Sequence, residues 1–267
     1  NYLNKEFGII NLSGKLGIER SVIARYIKKH KIPIRKGYIQ SKLNNPPKEF
    51  DLDDKSRQFI DGLLLGDASI PLRKSGISPR SFTQVCKHSE YLIYISHRLT
   101  NFGITCSPIL SNWRMDERCK NKGYNQSFLQ THRFKTFELI RNRWYPKGNK
   151  NIPRDIKITP DLLLQLYLCD GNFYRQIRLC TDGFSKRDVV FLKRIIEQKL
   201  RVILRLHKLN NKYGLIIRKS DANTFLKYIG NCPVKCYKYK WQDNESEKAK
   251  KRKNIKARIN YHKNKNG

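Results

Sequence analysis

Acidic residues are scarce in this chain: 22 Asp and Glu stand against 56 Lys and Arg, leaving a formal charge of +34 over 267 residues. An excess of one sign on that scale repels itself unless a polyanion neutralises it, which points to nucleic acid as the partner. Long hydrophobic runs are missing too. No apolar stretch approaches the roughly 18 residues of a membrane span, and no signal peptide is visible. The basic residues are spread along the whole chain, which also disfavours an anionic membrane surface as the target. Paired cysteines are lacking. Cys86, Cys106, Cys119, Cys169, Cys180, Cys232 and Cys236 are odd in number and scattered, so a disulfide framework is not expected and a reducing intracellular compartment fits best. Cys232 and Cys236 form a CxxxC without a second ligand pair, which is too little for a zinc site. The first residue is Asn rather than Met, which reads as a processed or partial product. The Lys- and Asn-rich composition points to an AT-rich genome such as that of an organelle, a mitochondrion or a chloroplast.

The few acids that are present include two in equivalent places. Phe59-Ile60-Asp61-Gly62-Leu63-Leu64-Leu65-Gly66-Asp67-Ala68 and Leu162-Leu163-Leu164-Gln165-Leu166-Tyr167-Leu168-Cys169-Asp170-Gly171 are apolar helical runs, each stopping at one carboxylate. Asp67 and Asp170 lie 103 residues apart, roughly the size of a small domain. A carboxylate at a helix C-terminus opposes the macrodipole, so finding it twice calls for a compensating role.

The surrounding pattern is duplicated. A helix over about 54–66 leads to strands near 68–73 and 80–87, a helix from Ser89 to Leu99 stopped by Gly103, strands near 104–113 and 124–132, and a helix over about 135–144. In the second half, Thr159-Pro160-Asp161 opens a helix over about 160–170. A strand region at about 172–181, a helix from Ser185 to Leu200, strands near 201–208 and 213–218, and a helix at 220–229 follow. The expected fold class is therefore α+β, with tandem αββαββα repeats over 50–150 and 151–241 and two antiparallel sheets.

Residues 1–45 form a separate small helical module: a short helix over 11–18, a glycine turn, and a second helix from Glu19 to His30. Val22, Ile23, Tyr26 and Ile27 share one face of that second helix, while Arg20, Arg25, Lys28 and Lys29 fall largely elsewhere. That order resembles a helix-turn-helix; a basic helical hairpin is the alternative. Asn44-Asn45-Pro46-Pro47 reads as a linker. The end of the chain, 242–267, is a basic tail: residues 248–267 carry nine Lys and Arg, among them Lys250, Lys251, Arg252 and Lys253, and no acid.

The two motifs resemble the signature helices of the LAGLIDADG homing endonucleases in their single-chain, two-repeat form, over roughly residues 50–240. Ser81-Phe82-Thr83-Gln84, Trp144-Tyr145-Pro146 and Ile152-Pro153 support the resemblance. It implies a DNA endonuclease that cuts both strands of a long duplex target, with magnesium or another divalent cation at Asp67 and Asp170 and the carbonyls of Gly66 and Cys169 nearby. It further suggests Lys219 as a catalytic lysine, with Thr131 or His132 in the matching place, and Gln84 as a water-positioning group opposite Thr181. The sheets would form a pseudo-two-fold saddle over the DNA, contacting it through Arg73, Lys74, Arg80, Gln84, Arg175, Gln176, Arg178, Arg205, Lys208, Lys212 and Arg218. Two departures stand out: Gln165 replaces a glycine, which questions how closely the helices pack, and Ala68 replaces the last glycine of the first motif.

Three functions remain open on this reading. The first is the homing endonuclease, acting as a monomer. The second is a catalytically silent RNA-binding derivative, an intron maturase or a component of an organellar ribosome or ribonucleoprotein, for which the charge and the basic arms argue. The third is a DNA-binding regulator using the N-terminal module.

Overall fold

The computed structural model describes residues 9–30, 32, 48–72, 81–116 and 122–243. Contacts divide the chain into residues 1–48 and 49–267. In the first unit, α1 (Ile9–Leu16) and α2 (Arg20–Lys29) are joined through Gly17, whose φ of 65° suits glycine. Leu12, Ile23 and Ile27 are buried together, with Ile9 and Ile32 against them. Val22 and Tyr26, expected on the same face, are exposed; Tyr26 packs on His30 instead. Positions one residue apart on a helix differ by about 100°, so the face that buries Ile23 and Ile27 turns Val22 and Tyr26 to its margin.

The second unit carries the duplication. Its first half runs α3 (Asp54–Leu65), β1 (Thr83–Cys86), α4 (Ser89–Asn101), β2 (Leu110–Asp116), β3 (Lys122–Gln130) and α5 (Thr136–Trp144). The second half runs α6 (Pro160–Asp170), β4 (Gly171–Tyr174), β5 (Gln176–Cys180), α7 (Lys186–Leu200), β6 (Leu204–Leu209), β7 (Lys212–Ile217) and α8 (Lys219–Ile229), then a 3₁₀ helix over Lys235–Trp241 that the sequence pattern does not announce. The sheets are antiparallel, ordered β1-β3-β2 and β4-β5-β7-β6. The strand expected near 68–73 is reduced to a single bridge, Ser69 to Thr83; most of the segment after it lies outside the described residues. The strand region at 172–181 is a hairpin that turns at Arg175, which adopts a φ of 58°. Among the described residues no helix is long and apolar enough to cross a membrane.

Local chemistry sets the helix starts. Asp53, Thr159 and Ser185 accept hydrogen bonds from the backbone N–H of Ser56, Leu162 and Asp188, satisfying donors that a first turn leaves open. Burial then decides the architecture. One continuous core runs through both halves, from Phe59, Leu63 and Tyr91 to Leu162, Leu192 and Phe225. At its centre α3 packs along α6, both helices buried on most sides. Gly62 makes this approach possible. A Cβ built on it would stand 2.6 Å from the Leu162 carbonyl oxygen and 2.9 Å from Leu162 Cα, backbone atoms that cannot give way. Gln165 does not hold the helices apart, as its bulk suggested. Its Cβ packs at Gly62, and its amide turns aside to Tyr91, Tyr94 and Asp161. At the start of the motif, Asp61 is buried against Arg143 Nη1 at 2.7 Å and Trp144 Nε1 at 2.7 Å, tying α3 to α5.

Gly62→Ala should therefore destabilise the protein by about 2 kcal/mol, since overpacking against backbone outweighs the gain in helix propensity. Urea unfolding measures this; an unchanged midpoint would place the close contact elsewhere.

Candidate nuclease site

The contact between α3 and α6 carries both motif acids to one place. Gly66 ends α3, and a Cβ there would lie 2.5 Å from Cys169 Cβ, 2.8 Å from Cys169 Sγ and 3.5 Å from Asp170 Oδ2. The end of the first motif thus abuts the end of the second, and the two carboxylates share one electrostatic environment. Burial, and next the charge of Asp67, push the Asp170 carboxyl up to about 7. Asp67 is open to solvent at the mouth of the site, yet the protein packed around it raises its carboxyl as well.

Two lysines, one following each repeat's last helix, answer this negative field. Lys150 Nζ donates to the carbonyls of Gly66 at 3.0 Å and Ala68 at 2.9 Å. Lys240 Nζ donates to those of Tyr167 at 3.3 Å and Leu168 at 2.6 Å. Each ammonium caps the C-terminal carbonyls of one motif helix and opposes the macrodipole that makes an aspartate costly there. Both lower the pKa of Asp67 and of Asp170. Burial in turn draws Lys150 down to about 8 and lowers Lys240. Neither lysine stands out in the sequence. Lysine is abundant, and the one signal was position: Lys150 follows Trp144-Tyr145-Pro146, and Lys240 precedes Trp241.

Other residues singled out from the sequence fall differently. Lys219 opens α8 and pairs with Asp243 at 3.1 Å, so the cations acting on both aspartates are Lys150 and Lys240 instead. Thr131 and Thr181 are buried; Thr131 accepts from the Phe82 N–H and Thr181 donates to the Tyr213 carbonyl, while His132 bonds Thr105 at the surface. Gln84 faces the interior, 1% exposed, with Nε2 directed at Cys169 Sγ at 3.8 Å and Oε1 without a hydrogen-bond partner among the described residues. It therefore cannot also serve as an outward contact, because it shares its sheet face with buried Leu129. The Gly66 carbonyl is engaged by Lys150, and the Cys169 thiol reaches the site, pushed up to about 12 by burial.

Above the acids lies an open cleft of about 460 Å³ whose lining includes Asp67, Val85, Lys87, Tyr124, Gln126 and Lys240. Val85 belongs to the outward face of the first sheet. The strand pairing puts Leu110 and Phe128, then Asn112 and Gln126, then Arg114 and Tyr124 on that same face, and Arg114 Nη1 donates to Gln126 at 2.9 Å. On the second sheet Gln176, Arg178 and Arg205 share the outward face, with Arg205 Nη2 on Gln176 Oε1 at 2.8 Å. Lys212 and Arg218 are exposed, Lys212 lying 4.0 Å from Asp182, and Arg175 occupies the β4–β5 turn. Lys208 is exposed near the end of β6, and strand alternation puts it on the face of Leu204 and Leu206 rather than on that of Arg205. Arg20, Arg25, Lys28 and Lys29 are exposed on α2. Arg73, Lys74, Arg80 and Lys250, Lys251, Arg252 and Lys253 lie outside the described residues.

The acids fit a hard dication. Two carboxylates suit magnesium, which keeps several waters of its own, and a dication would offset both the burial and the repulsion from Asp67 that raise Asp170 to about 7. Without one, Asp170 makes stability pH-dependent. Its folded pKa lies above the unfolded value, so its contribution is fully present below about 4 and lost as pH rises through about 7. Asp170→Asn should then raise stability at pH ~8 in chelator by on the order of 2 kcal/mol, discounted for the solvent that reaches the group, and by less than half as much at pH ~5. Thermal melts at the two pH values check this; an equal shift at both would place the strain elsewhere.

A known structure shares this architecture, and two further proteins are similar in sequence. The homing endonuclease I-WcaI, solved bound to its DNA recognition sequence, superposes with a TM-score of 0.65 at 20% identity, covering 81% of this chain and 98% of its own. Cytochrome b mRNA maturase bI2 of Debaryomyces hansenii is 27% identical over 197 residues, 71% of this chain and 74% of that protein. The uncharacterised protein MJ1098 of Methanocaldococcus jannaschii is 33% identical over 163 residues, 58% of this chain; the match spans 60% of MJ1098. The profile of the LAGLIDADG DNA endonuclease family matches residues 57–225, most of the chain and both motifs, and with paired helices ending in Asp67 and Asp170 between two antiparallel sheets the chain belongs to that family.

Proposed function

We propose that the chain is a site-specific DNA endonuclease that cuts both strands of a duplex held against the outward faces of its sheets. The observation that supports this most directly is the meeting of Asp67 and Asp170, one from each repeat, between Lys150 and Lys240. Phosphodiester hydrolysis needs an attacking water, a leaving oxygen in line with it, and relief of the charge that builds on the phosphate. A magnesium ion held by Asp67 and Asp170 would neutralise phosphate charge and activate water. The lysines do the rest. An ammonium has three protons, and each of these two lysines gives two to backbone carbonyls at the end of a motif helix or just past it. The third remains for a phosphate oxygen. With its pKa drawn down to about 8, Lys150 is also suited to pass a proton to the leaving oxygen near neutral pH. The unpartnered Oε1 of Gln84 is an acceptor beside Cys169 that can orient a water. Arg114, Gln126, Gln176, Arg178 and Arg205 would track the duplex, guanidinium groups reading guanine edges or phosphates. In the N-terminal unit, α2 with Arg20, Arg25, Lys28 and Lys29 would add a further DNA contact.

Selection from a duplex library with magnesium supplies the substrate. On it, Asp67→Asn and Asp170→Asn should each lower cleavage at least ~10³-fold and leave duplex binding within about threefold. Lys150→Met should lower kcat by about 10²-fold. Cleavage surviving both aspartate substitutions would sink the site.

A second reading has its own support. Similarity to an mRNA maturase extends over 197 residues, and +34 exceeds what one groove needs. The chain would then bind RNA, in an organelle such as a mitochondrion, as part of a ribonucleoprotein. Removing residues 248–267 should weaken RNA binding and flatten its salt dependence. An unchanged salt slope in a titration of the truncated chain would count against the tail as an RNA arm.

A further inference from the structure

Helix α7 has two faces of different character. Val189, Leu192 and Ile196 are buried, and the helix packs there toward β6 and β7. On the far side Arg187, Val190, Phe191 and Arg194 recur at the spacing of one helical stripe. Arg154, from the segment between the repeats, joins them to line an open hollow of about 440 Å³. Its guanidinium lies 4.5 Å from the Phe191 ring centroid and that of Arg194 lies 5.9 Å from it. An ion pair to Asp188 at 2.7 Å anchors Arg154. Among the described residues Arg187 and Arg194 have no carboxylate partner.

Arg187 and Arg194 bring two cations without a carboxylate partner among the described residues to an apolar floor beside the paired Arg154, and Val190 is left in water, 44% exposed. A ligand with a flat apolar body and attached negative charge would relieve both costs. A duplex offers the charge but hides its bases. A nucleotide in an unpaired stretch offers phosphates on either side and a base whose π-face stacks on an aromatic ring or a guanidinium plane. Folded RNA presents such nucleotides in loops and bulges.

Position separates this hollow from the cleavage groove. Arg178 and Arg205 lie on the outward face of the second sheet, and Leu204, Leu215 and Ile217 on the opposite face, where α7 packs. A duplex along the outward face would reach α7 only by bending sharply around the sheet, at an energetic cost set by its persistence length of about 150 base pairs.

We propose that this hollow binds an unpaired stretch of RNA, with phosphates on Arg187 and Arg194 and a base against Phe191 and Arg154. The site deepens the RNA reading and is independent of cleavage. Fluorescence anisotropy on the full chain tests it with two labelled probes: oligo(U) RNA of about 20 nucleotides and a random duplex DNA of about 30 base pairs. Arg187→Gln with Arg194→Gln should weaken oligo(U) binding at least ~10-fold and reduce its salt slope by about 1.4, with duplex binding held within about twofold. Lys199→Gln with Lys227→Gln removes the same charge from elsewhere and should cost less than about threefold. Phe191→Leu keeps an apolar filler but loses the ring, and should weaken oligo(U) binding a few-fold with the salt slope unchanged. RNA affinity within about twofold of the parent, or a loss matched by the duplex or by the lysine pair, overturns the proposal. RNA binding that falls only on deleting residues 248–267 would overturn the hollow and leave the RNA reading standing.

Discussion

The close approach of α3 and α6 is the constraint on which the rest of the molecule depends. Gly62 admits the backbone of Leu162, and Gly66 admits the side chain of Cys169. No room is left at either point for another atom. That contact makes two repeats into one core, aligns two sheets about it, and brings one carboxylate of each half to the same spot. Its consequence is electrostatic. Like charges drawn together at helix C-termini, partly removed from water, are unfavourable, and the Asp170 carboxyl shows this by its shift to about 7.

The fold offsets that cost with cations. Lys150 and Lys240 reach back from the segments after α5 and α8 to carbonyls at the ends of α3 and α6. They balance the helix dipoles as well as the carboxylates, so one pair of interactions serves both stability and the site. Further along α3, Asp61 meets Arg143 and Trp144, and beside α6 the Gln165 amide meets Tyr91 and Tyr94. Two buried polar atoms are left without a hydrogen-bond partner among the described residues, the Tyr145 hydroxyl and, at the site itself, the Gln84 Oε1.

Basic charge is deployed in separate places. Arg114, Arg178 and Arg205 lie on the outward sheet faces, and Arg154, Arg187 and Arg194 gather behind the second sheet on α7. The chain therefore carries more than one basic surface, and the two differ in kind: exposed sheet faces lined by arginine, and a compact hollow floored by Phe191.

The duplication, the α+β class and the pairing of Asp67 with Asp170 were legible in the sequence because each is written in a local pattern. Apolar runs of helical length ending in an acid, caps at Asp53, Thr159 and Ser185, and strand-length stretches between helices all follow from short-range chemistry. Face assignments were less secure. Gln84 was read as outward and lies inward, Lys208 was read with Arg205 and alternates against it, and Val22 and Tyr26 fall at the edge of the face they were expected to fill. Register decides such matters, and register is set by the partner strand or helix. The lysines beside the two aspartates illustrate the limit most clearly. Lys219 was chosen by its place along the chain, whereas Lys150 and Lys240 act on the aspartates because the fold folds them back over the motif helices. The sequence by itself determined which acids would end which helices. Tertiary structure alone decided which cations meet them, because a charge interacts across space with whatever the packing brings within a few ångströms, however far away it lies in the chain.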